Sequence, residues 1–217
     1  MSNYEYIIAS LPFLTTDYKY ADGTGFDTVL EEIRRDLSEK DLAALDVLLK
    51  GFDGENLTPD FYAEVLKGKD RFLREYFRFD LNLRNAKVRY LNRQLGRAPE
   101  LDVMTGRGRE DDPAESLDID LNRFTGGEFE EEQKVAFVLE QDDLLTRERG
   151  LDDILWAKID SLATFHYFDM TAVLSYVAKL HIVDRWLSLD EEAGRELFRK
   201  LVKEVKGTFK GVRYEDK

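Results

Sequence analysis

Two histidines are the side chains in this sequence best suited to chemistry. Each is followed three residues later by an aspartate: His166 with Asp169, and His181 with Asp184. An i, i+3 spacing places both members of a pair on one helical face. Two imidazoles and two carboxylates would suit a divalent transition metal, and hence a metal-dependent helical enzyme. The separation between the pairs argues the other way. On one continuous helix His166 and His181 would stand about 22 Å apart, at 1.5 Å per residue, and no single ion bridges that distance; only a break in the helix would bring the pairs together. The expectation is therefore no metal site, with each histidine hydrogen-bonded locally in a core.

Other short motifs carry less. "DGTGFD" and "TGRGRED" contain Gly-x-Gly, but neither follows a convincing strand or completes a phosphate-binding fingerprint. "FDGENLTPDF" shares only Asp53-Gly54 with a calcium loop and lacks the alternating oxygen ligands. The acidic runs Glu110–Asp112 and Glu130–Glu132 read as solvated faces or loop. The chain has no cysteine, which excludes disulfides, thiol catalysis and cysteine-based zinc sites and fits a reducing compartment. No catalytic residue and no cofactor is expected.

The charge distribution is more informative. The chain carries 32 Lys+Arg against 45 Asp+Glu, a formal charge of −13. Its pI is near 4.7. A net charge of that sign opposes nucleic acid as a partner. Yet Lys67 to Arg97 holds ten basic residues and three acidic ones. Within this island Phe72, Tyr76, Phe79, Leu83, Ala86 and Tyr90 recur at spacings of four and three, an apolar seam on a helix. Phe77, Leu81, Val88, Leu91 and Leu95 form a second seam, broken by Arg84. Glu75, Arg78, Asn82, Asn85, Arg89 and Asn92 form a polar stripe. This predicts a helix from about Arg71 to Leu95, about 37 Å long, central to a bundle and buried against two neighbours. The positive charge then lies on an exposed stripe. Either the acidic remainder of the chain neutralises it, or it docks an acidic partner through Asn82, Asn85, Arg89 and Arg93.

The elements that must carry these residues are helices. Ser38 with Asp41 opens a helix lined by Leu42, Leu45, Leu48 and Leu49. Thr58-Pro59 pairs a capping residue with proline at the first helical position. Ser188 with Glu191 forms a capping box ahead of a last helix. Residues 97–127 contain two of the four prolines, several glycines and many acids, and read as a long loop. Helices resume at about Glu128 and run to about Lys206, with a break near Gly150. Leu155, Ile159, Leu162, His166, Val173, Val177 and Leu180 keep the helical period there. The apolar window Ser161–Val183 contains His166, Asp169, Lys179 and His181, so it reads as a buried helix rather than a membrane span. The N-terminus carries Glu5 and no basic leader, unlike a signal peptide. The expectation is an all-α bundle of two related helical units, 1–97 and 128–217, joined by the loop 98–127. "FDLNLRNAKV" (Phe79–Val88) and "FDMTAVLSYV" (Phe168–Val177) are its faint internal echo.

The segments "NYEYIIASLPFL" and "FDLNLRNAKVRYL" resemble a family of uncharacterised bacterial proteins encoded among V/A-type ATPase genes. That family takes the operon place of the C-type central-stalk protein, the relative of the eukaryotic d subunit. The C-type stalk proteins are all-helical and built from repeated units that carry an Asp, then an Asn, then an Arg. Asp80, Asn85 and Arg89 resemble that pattern. Asp169 would head a second copy, in which Ala178 stands where Arg is wanted. The chain is also shorter than a three-unit stalk protein of that type. The resemblance implies a non-catalytic socket coupling the rotor shaft to the membrane ring of an ion pump. Its partners would be the central-shaft subunits and the ring. Its place would be cytoplasmic, at the inner face of the membrane through the complex. The alternatives are a helical module for another acidic partner, and the metal-dependent enzyme above.

Overall fold

The computed structural model describes residues 3–15, 25–105 and 129–189. Among these residues eight α-helices follow one another: α1 (Tyr4–Ser10), α2 (Phe26–Asp36), α3 (Glu39–Lys50), α4 (Pro59–Lys67), α5 (Arg71–Gln94), α6 (Glu132–Leu139), α7 (Leu144–Ala163) and α8 (Met170–Leu187). There is no β-strand among the described residues, so the fold is all-α as expected. None of the described helices is long and apolar enough to cross a membrane.

Capping side chains set most of the helix starts. The first backbone N–H groups of a helix lack intrahelical acceptors, and a short polar side chain supplies one. Ser38 accepts from the Asp41 N–H and Thr58 from the Phe61 N–H, with Pro59 at the first helical position. Asp70, Asp143 and Asp169 do the same for α5, α7 and α8. Asp169 therefore begins a helix, and the window Ser161–Val183 is two helices rather than one, separated at Thr164–Asp169. The break expected near Gly150 also lies elsewhere, at Glu140–Asp143. Gly150 is inside α7, where a Cβ would come within 2.7 Å of the Val138 side chain. Glycine is needed there because α6 and α7 approach closely, not because the helix ends. Ser188 closes α8, its hydroxyl donating to the Arg185 carbonyl. The last helix expected beyond it, with Glu191, lies outside the described residues, as does most of the long loop.

Two helices organise the packing. α8 packs against α1, α2, α3 and α7, while α5 packs against α3, α4, α6 and α7. Val173, Leu174, Val177, Ala178 and Leu180 of α8 are wholly buried. They share one apolar core with Ile7, Val29, Ile33, Leu45, Leu48, Tyr62, Phe77 and Leu81. A second cluster forms where Phe79, Leu83 and Ala86 of α5 meet Val135 and Leu139 of α6 and Leu151 of α7. The described parts of the two expected units thus share a core that crosses the 98–127 boundary. Their faint internal echo is not structural. Asp80 sits in the interior of α5, whereas Asp169 caps α8.

The two seams of α5 give a direct test of this packing. Leu83→Ala, in the buried seam, is expected to lower unfolding free energy by about 2–5 kcal/mol. Leu91→Ala, in the exposed end of the other seam, should change it by about 0.5 kcal/mol or less. Urea denaturation of both variants checks the assignment; equal effects would contradict it.

Candidate functional site

The basic island is helix α5, which spans Arg71–Gln94, 24 residues, and presents three faces. The first seam is buried as expected: Phe72, Tyr76, Phe79, Leu83 and Ala86 all lie in the core, with Tyr90 packed at the edge. The other two faces differ from the sequence reading.

The polar stripe is not open to solvent. Asn85 and Asn92 are buried, only 6% and 5% exposed. After α5 ends, Gly96 takes a φ of +66°, a left-handed conformation that glycine adopts without strain. The chain then doubles back as a strap along the stripe. Asn92 Nδ2 donates to the carbonyls of Pro99 at 3.2 Å and Leu101 at 2.5 Å. Arg89 Nε donates to Glu100 Oε1 at 2.9 Å. Asn85 makes a reciprocal pair with Met104, donating to its carbonyl at 3.1 Å and accepting from its N–H at 3.0 Å. An asparagine amide offers a donor and an acceptor side by side, which suits it to backbone that has no ladder partner. The exposed-stripe expectation is therefore corrected at Asn85, which binds the chain's own backbone. Arg89 directs its fork at Glu100, Arg93 lies 3.9 Å from Glu132, and Asn82 is half-buried.

Much of the positive charge is also matched from within. Arg78 pairs with Glu75 and Arg84 with Asp80 on α5 itself. The Asp80 carboxylate also accepts from the Tyr62 hydroxyl of α4 at 2.5 Å. Burial, and then the adjoining Asp80 carboxylate, push the Tyr62 phenol far above its usual range, so it stays a donor. The three residues of the Asp-Asn-Arg pattern, Asp80, Asn85 and Arg89, thus all bind this chain: Tyr62 and Arg84, the strap backbone, and Glu100.

The second seam leaves the core partway along. Phe77 and Leu81 are buried, Val88 is half-buried, and Leu91 and Leu95 are 56% and 64% exposed. Arg84, Val88, Leu91 and Leu95 fall on one side of the helix by its 3.6-residue period, with Lys87 beside them. Arg93 lies on the opposite side, toward α6. The open surface of the island is therefore an apolar strip edged by Arg84 and Lys87, rather than the asparagine stripe.

The two histidine–aspartate pairs do not form a common site. His166 Nδ1 lies 2.6 Å from Asp169 Oδ2, at the connection between α7 and α8. His181 is three turns into α8, about 18 Å along the axis from Asp169. It stacks on Phe52 with ring centroids 4.0 Å apart and meets the Phe26 ring edge-on. Stacking, rather than the expected local hydrogen bond, holds it. Burial, and then the Arg185 charge, lower its pKa from 6.5 to about 4. Among the described residues no three His, Asp or Glu side chains gather to hold a metal ion.

One polar cluster went unread in the sequence. Asp152 of α7 is 5% exposed and accepts from the Arg185 guanidinium and, at 2.6 Å, from the Trp186 indole of α8. Burial pushes its carboxyl up, and the two donors pull it partly back. Its signal was available: Asp152, Trp156 and Ile159 stand on one buried helical stripe, and an acid there requires a partner.

With this geometry in view, comparison with family models shows that the chain belongs to the family described as Protein of unknown function (DUF2764), whose model matches residues 55–208. That span includes α4 to α8, the strap and both polar clusters. Neither the curated proteins nor the solved structures contain a match to the chain.

Two measurements probe these arrangements. Asn85→Leu should cost about 1–3 kcal/mol, because it leaves the Met104 N–H and carbonyl unpaired, and should speed amide exchange at Met104. Arg89→Ala, which removes a partly exposed pair, should cost about 1 kcal/mol or less. The second concerns pH. His181 is held neutral in the folded state, while the unfolded chain takes up the proton near 6.5. Its stabilising effect is complete above pH 6.5 and is lost as pH falls from 6.5 toward about 4. The full window corresponds to about 3 kcal/mol. His181→Phe should flatten the fall in stability between those limits relative to the parent, read by urea denaturation at each pH.

Proposed function

We propose that this member of the DUF2764 family is a non-catalytic helical adaptor similar to the C-type central-stalk proteins. In this reading it seats at the central stalk of a V/A-type ATPase and couples the rotor shaft to the membrane ring. The observation that carries the adaptor reading is the bare end of the second seam of α5. Leu91 and Leu95 continue a row whose earlier members, Phe77 and Leu81, are buried. An apolar row exposed at the end of a braced helix, edged by Arg84 and Lys87, has the composition of a protein interface. An acidic partner suits its charge, and arginine at the edge favours carboxylate recognition.

A socket that transmits torque must not yield where it is gripped. The buried first seam and the strap bonded to Asn85, Arg89 and Asn92 brace α5 on the sides away from this row, and Asp80 ties the helix to Tyr62 of α4. The specific link to the ATPase stalk comes from the likeness of Asp80, Asn85 and Arg89 to the repeat pattern of the C-type stalk proteins and from the two resembling segments. The second reading, an adaptor for a different acidic protein, uses the same face.

A pull-down separates them. The tagged chain should retain V/A-type ATPase central-stalk subunits, in a salt-sensitive way. Leu91→Asp with Leu95→Asp should abolish retention without lowering the melting temperature, because both side chains are already exposed. Arg93→Ala, on the other side of the helix, should leave it unchanged. Failure to retain any stalk component, with the parent chain folded, would overturn the ATPase assignment. Retention that survives the double substitution would overturn the face.

A further inference from the structure

The α7–α8 pair is bare at one end. Lys179 bonds to Asp160 and Arg185 to Asp152, so the two helices run antiparallel in a fixed register. On α7, Asp152, Trp156 and Ile159 form the buried stripe. Leu145 belongs to that stripe, seven residues before Asp152, yet it is 60% exposed. It lies about 10 Å beyond Arg185 along the axis, whereas α8 ends at Leu187, about 3 Å beyond. The partner helix is too short to cover it. Leu187 is in the same position on α8: it continues the stripe of Leu180 and Val183, both wholly buried, and is 49% exposed. Two stripes closed along the rest of the pair thus run out together, and the described residues stop beside them, at Leu189.

The sequence that follows has the matching chemistry. Leu197, Leu201 and Val205 recur every four residues, with Phe198 and Val202 beside them, the pattern of an amphipathic helix with one apolar face. Residues 195–206 carry Arg195, Arg199, Lys200, Lys203 and Lys206 against Glu196 and Glu204, a basic stretch in an acidic chain. The α6–α7 connection next to Leu145 has the opposite sign: Glu140 and Asp142 are exposed there, and neither is ion-paired among the described residues. Reach is not limiting. Residues 190–194 span up to about 17 Å when extended, more than the distance from the end of α8 to Leu145 along the axis. The family model extends to residue 208, so this stretch belongs to the family's domain.

We propose that the bare end formed by Leu145 and Leu187 is a docking surface for the chain's own residues 195–206, laid on it as an amphipathic helix. Leu197, Leu201 and Val205 meet the two leucines, and the basic face of the helix turns toward Glu140 and Asp142. The occupant is in cis because the chain arrives at this surface: a segment tethered five residues away is present at an effective concentration that a free partner does not match. This inference does not depend on the ATPase assignment.

The test is amide hydrogen exchange of the full chain, read by mass spectrometry against a synthetic peptide of residues 190–217. In the parent, residues 197–206 should exchange at least about ten-fold more slowly than in the peptide. Leu145→Asp should bring them to within about two-fold of the peptide rate while Leu174–Val183 of α8 stay protected. Leu201→Asp, which alters no described residue, should release the segment equally and keeps the test intact if Leu145→Asp fails to fold. Phe165→Asp, at the opposite end of the pair and 83% exposed, should change nothing. Peptide-like exchange of residues 197–206 in the parent would overturn the proposal and leave the surface open to a partner protein. Protection that persists in Leu145→Asp would overturn the assigned surface. Protection that is lost on dilution, together with a dimer in sedimentation that Leu145→Asp dissociates, would assign the surface to the segment of a second copy and overturn docking in cis.

Discussion

A helix with apolar side chains on two faces and amides on the third has no stable existence in water, and α5 is such a helix. Each face needs a different kind of cover. Phe79, Leu83, Ala86 and Tyr90 of the first seam take α6 and α7, while Phe72 and Tyr76 join Phe77 and Leu81 in the main core. The amide face takes the chain's own backbone, because asparagine can satisfy a carbonyl and an N–H together, as Asn85 does with Met104. The rest of the described architecture follows from meeting these three demands. Gly96 turns the chain, the strap runs back, and the later helices close over the first seam. Gly51 shows how tight the result is, since a Cβ there would lie 2.3 Å from the Phe77 ring.

The polar groups inside this arrangement act as fasteners between helices. Asp80 joins α4 to α5 through Tyr62, and Asp152 joins α7 to α8 through Arg185 and Trp186. Tyr76 lies within electrostatic reach of both carboxylates and both guanidinium groups, and burial and those carboxylates push its phenol well up. A buried ion pair contributes little net stability compared with apolar packing, but a wrong register would strand a charge. Such groups therefore select one helix arrangement.

The surface has the complementary character. Among the described residues, apolar exposure includes the end of α5 and the α7–α8 turn, besides Phe137, Leu144 and Leu145 about the α6–α7 connection. The first is the continuation of a buried row. The second is a strained turn, with Phe165 at a φ of +70°. Neither improves the isolated fold.

Helix type and position were legible in the residues because periodicity and caps are local. The α5 limits of Arg71 and Gln94, and the capping roles of Ser38 and Thr58, depend on neighbours within one or two turns. The placement of Phe72, Tyr76, Phe79, Leu83 and Ala86 in the core follows from the same periodicity. What covers a polar stripe is not local. Asn85 and Asn92 have the same type and spacing whether they face water or a returning strap. Only the turn at Gly96 and the path to Met104 decided that they are buried. The interruption at Thr164–Asp169 was hidden for a related reason: Asp169 reads as a residue within an apolar run until the chain is seen to reverse there. Two histidines fifteen positions apart acquired opposite settings, one hydrogen-bonded at a turn and one stacked on Phe52 with the edge of Phe26 beside it, because aromatic neighbours more than a hundred residues away in sequence are set by packing alone.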